Sequence, residues 1–497
     1  MQHITIVKVL ILLTSMLFVF SLWQRSPDID DAWIGEHAYW MAEKGYVKSE
    51  LMHGITMQDT RHIVHHKFFT LNGALFISIL GFSLYSIKSV SLVWLCIFLL
   101  IFIGYVRRKM GNDAAWFALL LAIANAFIFQ YSFVFRPEIV VMTLGFLSYL
   151  FLEKYFTEEG EYKYLAISGL FAGLAAATHL NGLIFMAAGA VLLLMRKRFK
   201  ASVIFSLLTL PAFAVYFYDF TYQYGLNFWL YQVNDSPALH KSTILPSSFA
   251  FLGKILNEHL RFFHSPKEIS LSILFLFMLL VNFKNLKSEG NLLKYLMLLV
   301  IFLSLVAVHT TSKYMLLYLP YIMLIITRSF LHLYKNRQSL LPLKRGLTIR
   351  KAYQVSLVLL GLFLITNLVW NTGIALKKFD PQKNRQLSLK YMGIQTADLK
   401  VLAPMTFIFN EIGHFERIQS DLSIVEMQKA GKKLSGPALL KYADNLKINY
   451  LIITDEYRER FGINNLKPEN YLQYGYTVST QEPGMIILKK TLPFAHE

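Results

Sequence analysis

Charge is scarce in this chain. Only 16% of its 497 residues are charged, against about 25% in an ordinary soluble domain. It has one cysteine, Cys96, which excludes an intrachain disulfide and any cysteine-based metal site. Cys96 lies in an apolar run and so speaks for neither redox compartment. The shortage of charge excludes intrinsic disorder. The 55% of hydrophobic residues gather in runs of roughly 18 or more, the length of a bilayer-crossing helix, which excludes a string of soluble cores. The charge present is unbalanced, with 49 Lys+Arg against 31 Asp+Glu, so 49 − 31 gives +18.

The fold class implied is a polytopic α-helical membrane protein of about 11 spans. The segment Ile4 to Trp23 is long for a signal-peptide core and lacks a small-x-small cleavage site, reading Phe20-Ser21-Leu22-Trp23 instead. It is read as an uncleaved first span with Trp23 at the interface. Further spans are expected near 87–106, 114–133, 138–156, 164–178, 182–195, 201–218, 270–283, 292–309, 314–330 and 352–371. No repeat or helix broken at mid-membrane is apparent. The basic groups Arg107-Arg108-Lys109, Arg196-Lys197-Arg198, Lys284 with Lys287, and 335–351 fall in alternate loops. Positive loops stay in the cytoplasm, so topology accounts for the +18 better than a nucleic-acid partner does. The N-terminus is expected inside.

Three stretches then fall outside. The loop 24–86 contains an apolar piece, 68–85, interrupted by Asn72, Gly73 and Gly81, read as a helix at or re-entering the membrane surface. A second large loop covers 219–269. The tail 375–497 is polar, with β-rich runs at 401–409, 448–454, 476–480 and 485–489, and a helix start at Ser435. This divides the chain into a membrane module, 1–374, and a small extracytoplasmic α/β domain, 375–497.

The expected topology brings Asp30, Asp31, Lys67, Arg136, Glu138, His179 and Lys313, which are far apart in the chain, to one membrane face. Charge beside hydrocarbon is costly and marks functional sites more often than chance. Asp30 and Asp31 open the segment Asp30-Asp31-Ala32-Trp33-Ile34-Gly35-Glu36-His37. An ionised member of the pair suits general-base chemistry, adjacent carboxylates suit a divalent metal, and an acidic turn also caps the helix that follows. The residues alone leave all three open. The cations equally suit headgroup snorkelling. The outer-loop histidines, His240 among them, lack paired metal-ligand spacing.

A first span followed by an acidic pair opening a long outer loop resembles the GT-C glycosyltransferases, in particular the protein mannosyltransferases and aminoarabinose transferases. Asp30-Asp31 with Glu36 fits the acidic motif. His66-Lys67-Phe68-Phe69 with Gly81-Phe82 stands where many members have Lys-Pro-Pro-Leu and a surface helix, though both prolines are missing. Arg136-Pro137-Glu138, the stretch Gly169 to Gly173 with Thr178-His179 and Gly182, and Lys313-Tyr314 with Tyr318-Leu319-Pro320 resemble later motifs. The resemblance is dense over 24–200, thin over 200–300, and returns at 310–322.

The resemblance implies an inverting transfer from a polyprenyl-phosphate-linked sugar to a hydroxyl of a lipid, glycan or protein acceptor, at the outer face of a bacterial inner membrane. Asp30 would be the catalytic base, with Asp31 beside it. Lys67, Arg136, Lys313 and Tyr318 would hold the donor phosphate, and Glu36, Glu138 and His179 would line the substrate site. No cofactor is called for, and a divalent metal is not indicated. Two other classes share the spans. A lipid-linked-sugar flippase would need the intramembrane charges but not a base. A receptor-like protein would need neither the carboxylate pair nor converging cations.

Overall fold

The computed structural model describes residues 2–158, 160–234, 250–307, 310–344, 347–377, 379–380, 382–393, 397–409, 411–421, 424, 434–463 and 468–491. His240 lies outside them. The chain is a multi-pass membrane protein. Among the described residues five helices are long and apolar enough to cross a bilayer, namely Thr5–Leu22, Leu84–Met110, Glu138–Thr157, Phe199–Phe217 and Ile349–Leu376. Shorter apolar helices at Asn112–Ala124, Leu180–Met195 and Asn291–Val306 occupy the places of further expected spans. Among the described residues the number of helices that meet this length and composition is five, or six if one bent pair counts as a single span, against the eleven expected.

Local sequence sets the elements that matter for the site. α1 (Gln2–Leu22) is followed by α2 (Ile29–Lys44), which starts at a capping box: Asp28 accepts from the Asp30 amide, and the Asp31 side chain accepts from the Asp28 amide at 2.7 Å. α3 (Lys67–Leu80) ends at Gly81, and Ser83 caps α4 (Leu84–Met110). The 68–85 stretch is therefore one helix and a break, with the next helix beginning three residues before the expected span. Gly73 lets α3 lie flat against its neighbours, because a Cβ there would sit 2.5 Å from the Phe135 ring and 2.6 Å from the Ala38 methyl.

No broken helix was expected, and here the structure differs. Leu252–Phe262 and Pro266–Val281 form a pair bent by 103°. Pro266 cannot continue the preceding helix but suits the first turn of the next. The bend carries Glu258 and Arg261 into the protein, where both are buried.

The tail folds into a mixed five-stranded sheet, ordered Arg417–Gln419, Lys400–Leu402, Tyr450–Thr454, Met485–Lys490, Tyr476–Glu482. The first three are parallel and the last two pairings antiparallel. The expected strand 401–409 stops at Leu402, because Pro404 leads instead into a short helix, Met405–Ile408. Ser435 caps the helix Gly436–Asn445 as expected, accepting from the Ala438 amide. One tail core is self-contained around Leu439, Leu451 and Tyr457. Other tail residues, among them Val401, Phe407 and Phe409, share a continuous apolar core with Leu51 and the membrane helices.

Candidate active site

The first turn of α2 separates its two aspartates. Asp30 keeps 15% of its side chain exposed and pairs with the Arg136 guanidinium. Asp31 is wholly buried and accepts from the Phe135 amide at 2.6 Å, with the Lys88 ammonium 3.1 Å away. Burial pushes the Asp31 carboxyl up from its ordinary value, and Lys88 opposes it. Asp31 thus ties α2 to α4 and to the 132–137 turn, while Asp30 beside it faces Arg136.

Arg136 sits in the turn before the helix Glu138–Thr157, whose start Pro137 fixes. Its Nε and Nη2 donate to the two Glu138 oxygens at 3.0 and 2.7 Å. The guanidinium is therefore shared between Asp30 and Glu138, in the forked geometry that suits carboxylate and phosphate alike. His179 ends the helix Tyr162–Thr178, and its Nδ1 accepts from the Asn181 amide at 2.9 Å. Its ring stacks on His66 at 4.6 Å and meets Tyr314 edge-on at 5.9 Å. Burial brings His66 down to about 4 and His179 to about 3, so both are neutral at physiological pH. Lys313 lies on the turn Ser312–Leu317. Burial and then Arg136 lower its ammonium from the ordinary lysine value, while Glu138 and Asp28 pull the other way. Among the described residues no carboxylate forms an ion pair with Lys313.

Asp30, Arg136 and Glu138 are joined by ion pairs, and His179 and Lys313 lie close enough to act on them electrostatically. The other expected residues stand outside this group. Lys67 is fully buried and its ammonium donates to Asp219 at 2.5 Å. His65 holds the other Asp219 oxygen at 3.0 Å. His66 and Lys67, adjacent at the start of α3, thus engage different groups, and the Lys67 charge is already balanced. Tyr318 is also fully buried, donating to Glu258 at 2.9 Å, and Glu258 in turn holds Arg261 at 2.7 Å. Glu36, 1% exposed, accepts from Ser49 Oγ, the Glu50 amide, the Leu51 amide and Trp40 Nε1. It anchors the outer loop to α2, and its acceptor positions are turned to that loop. Burial pushes it up to about 7, with the Ser49 hydrogen bond opposing.

Sequence reasoning missed Lys88, Asp219, Glu258 and Arg261. Asp219 immediately follows an apolar run, which was its only signal. His37, His62 and His65 cluster with ring centroids 4.8 to 6.2 Å apart. No group of three or more metal-ligating side chains placed to hold a metal ion occurs among the described residues.

Residues 69–218 match the family model for dolichyl-phosphate-mannose-protein mannosyltransferase. The stretch holds Arg136, Glu138 and His179 and leaves out Asp30 and Lys313. No curated protein matches the chain by sequence. The structure is similar to that of ArnT from Cupriavidus metallidurans in the apo state, with a TM-score of 0.59, 10% identity and 98% of each chain covered. It is similar also to the same protein bound to undecaprenyl phosphate, with a TM-score of 0.54, 11% identity and 99% of each covered. The apo oligosaccharyltransferase of Archaeoglobus fulgidus matches with a TM-score of 0.55 and 12% identity, over 90% of this chain and 69% of that one. The chain has the GT-C fold these enzymes share, and over 69–218 the sequence signature of a glycosyltransferase family.

Proposed function

We propose that this protein is an inverting membrane glycosyltransferase that moves a sugar from a polyprenyl-phosphate donor to an acceptor hydroxyl at the outer face of the inner membrane. The observation that carries this reading is the meeting of Asp30, Arg136 and Lys313, from three distant parts of the chain, at one site. A flippase gives no reason for a partly exposed carboxylate held beside the cations. Similarity to a protein whose structure contains undecaprenyl phosphate supports a polyprenyl donor.

In this mechanism the donor phosphate is drawn to Lys313, which forms no ion pair with a carboxylate among the described residues, and the Arg136 guanidinium, whose Nε and Nη2 stay on Glu138, adds its charge beside it. Asp30 takes the proton of the acceptor hydroxyl as its oxygen forms the new bond to the anomeric carbon. The bond from that carbon to the phosphate oxygen breaks, and its electron pair stays on the phosphate. Arg136 and Lys313 stabilise the charge left there. Displacement from the face opposite the leaving group inverts the anomeric centre. Glu138 fixes the guanidinium, and neutral His179 and His66 offer a stacked wall for the sugar. The tail, beyond one span end near residue 375, is an accessory domain that covers the acceptor side.

Mass spectrometry of envelope lipids and glycans in a deletion strain tests this reading. The expected result is loss of one sugar-bearing component with accumulation of its polyprenyl-linked donor. An unchanged profile in both fractions would contradict it.

A further inference from the structure

A second cavity lies at the other end of α4 from Lys88 and the aspartates. A cleft of about 960 Å³ opens between the C-terminal halves of α4 and the helix Glu138–Thr157. Its walls are mostly apolar, with Leu147 and Phe151 among them, and Arg107, Arg108, Lys109, Lys154 and Glu158 also line it. Gly104 leaves the cleft open, since a Cβ there would meet no atom within 4 Å. Its base is polar but satisfied, with the Tyr105 hydroxyl donating to Glu153 at 2.7 Å.

Both helices run outward to inward in the expected topology, so their C-termini point to the cytoplasm. An apolar trough under a basic rim at that depth matches one chemistry, an acyl chain beneath an anionic headgroup. Four cations against Glu153 and Glu158 leave an excess of positive charge that a zwitterionic headgroup would not balance. Arg107 and Arg108 are exposed and make no ion pair among the described residues, so their donors are free for a phosphate. We propose that this cleft binds an anionic phospholipid of the cytoplasmic leaflet, with the phosphate between Arg107, Arg108 and Lys154 and one chain along Gly104 and Leu147. The site is independent of the transfer chemistry and ties the enzyme to anionic membrane.

The test uses the full-length protein in phosphatidylcholine nanodiscs, titrated with phosphatidylglycerol and read by native mass spectrometry. Wild type is expected to retain phosphatidylglycerol in preference to phosphatidylcholine. Two rim charges at about fivefold each predict about thirtyfold weaker retention in the double variant Arg107→Gln, Arg108→Gln. Gly104→Phe is expected to abolish retention by filling the trough while leaving the melting temperature in pure phosphatidylcholine unchanged. Its Cβ enters open space, and the surface pair Arg107 and Arg108 provides a second variant if it destabilises. Equal retention of the two lipids by wild type overturns the proposal. So does retention of phosphatidylglycerol by the double variant at wild-type strength.

Discussion

The two adjacent aspartates make opposite predictions. Asp31 is buried against Lys88, so Asp31→Asn strands a buried ammonium, a change that typically costs about 3–5 kcal/mol. We expect a clear fall in thermal stability, with activity lost as α2 loosens. Lys67→Ala should do the same by stranding the buried carboxylate of Asp219, and the double variant Lys67→Ala, Asp219→Ala should be less destabilised than either single one. Melting temperatures of the four proteins in one detergent check this. Were Lys67→Ala to melt as wild type and lose donor binding instead, Lys67 would belong with Arg136 after all. The stacked histidines set a pH dependence. His66 and His179 titrate near 4 and 3 in the folded protein, below the ordinary 6.5. The unfolded chain therefore takes up protons first on acidification. Their stabilising contribution is complete above pH 6.5 and is lost as pH falls toward 4, at up to about 1.4 kcal/mol per unit for each. His66→Gln should flatten the melting curve between pH 7 and 5, and an unchanged slope would contradict that.

At the scale of elements, much of the site was legible because charge is conspicuous in an apolar chain. Asp30, Arg136 and Lys313 each stand at the edge of a hydrophobic run, and a run has a length and a loop parity. The sequence could not say which way a side chain turns. Asp30 and Asp31 are indistinguishable as neighbours, but one helical step of about 100° sends one to solvent and the other into the bundle. Lys67 looked like a phosphate ligand because its partner, Asp219, lies 152 residues away in a loop with no motif. The bend at 263–265 was equally hidden, since Pro266 reads as a loop signal as readily as a helix start. The capping box makes its own prediction: Asp28→Ala should cost about 1 kcal/mol and reduce transfer more than that loss of stability explains, because the same turn aims Asp30.

At the scale of the whole molecule, the tail is fastened to the outer loop. Ser420 Oγ donates to the Leu51 carbonyl at 3.3 Å and the Arg417 guanidinium meets His53 at 3.1 Å. Gly413 packs against the Tyr39 hydroxyl, where no Cβ would fit. The polar composition of 375–497 announced a separate unit, but its shared core with Leu51 could not be read from pattern. A chain ending near residue 380 should keep donor binding yet melt earlier and lose acceptor selection, as measured with a polyprenyl-phosphate sugar and a panel of acceptors. An alkaline phosphatase fusion after residue 375 should be active if the tail lies outside.

The central claim is that Asp30 is the base of a sugar transfer. Its most direct test compares donor binding and single-turnover transfer by purified wild type and Asp30→Asn, with one labelled polyprenyl-phosphate sugar. Asp30→Asn is expected to bind donor and melt as wild type does but to transfer the sugar about 10²- to 10⁴-fold more slowly, the usual cost of losing a general base. Transfer at the wild-type rate by Asp30→Asn would contradict it.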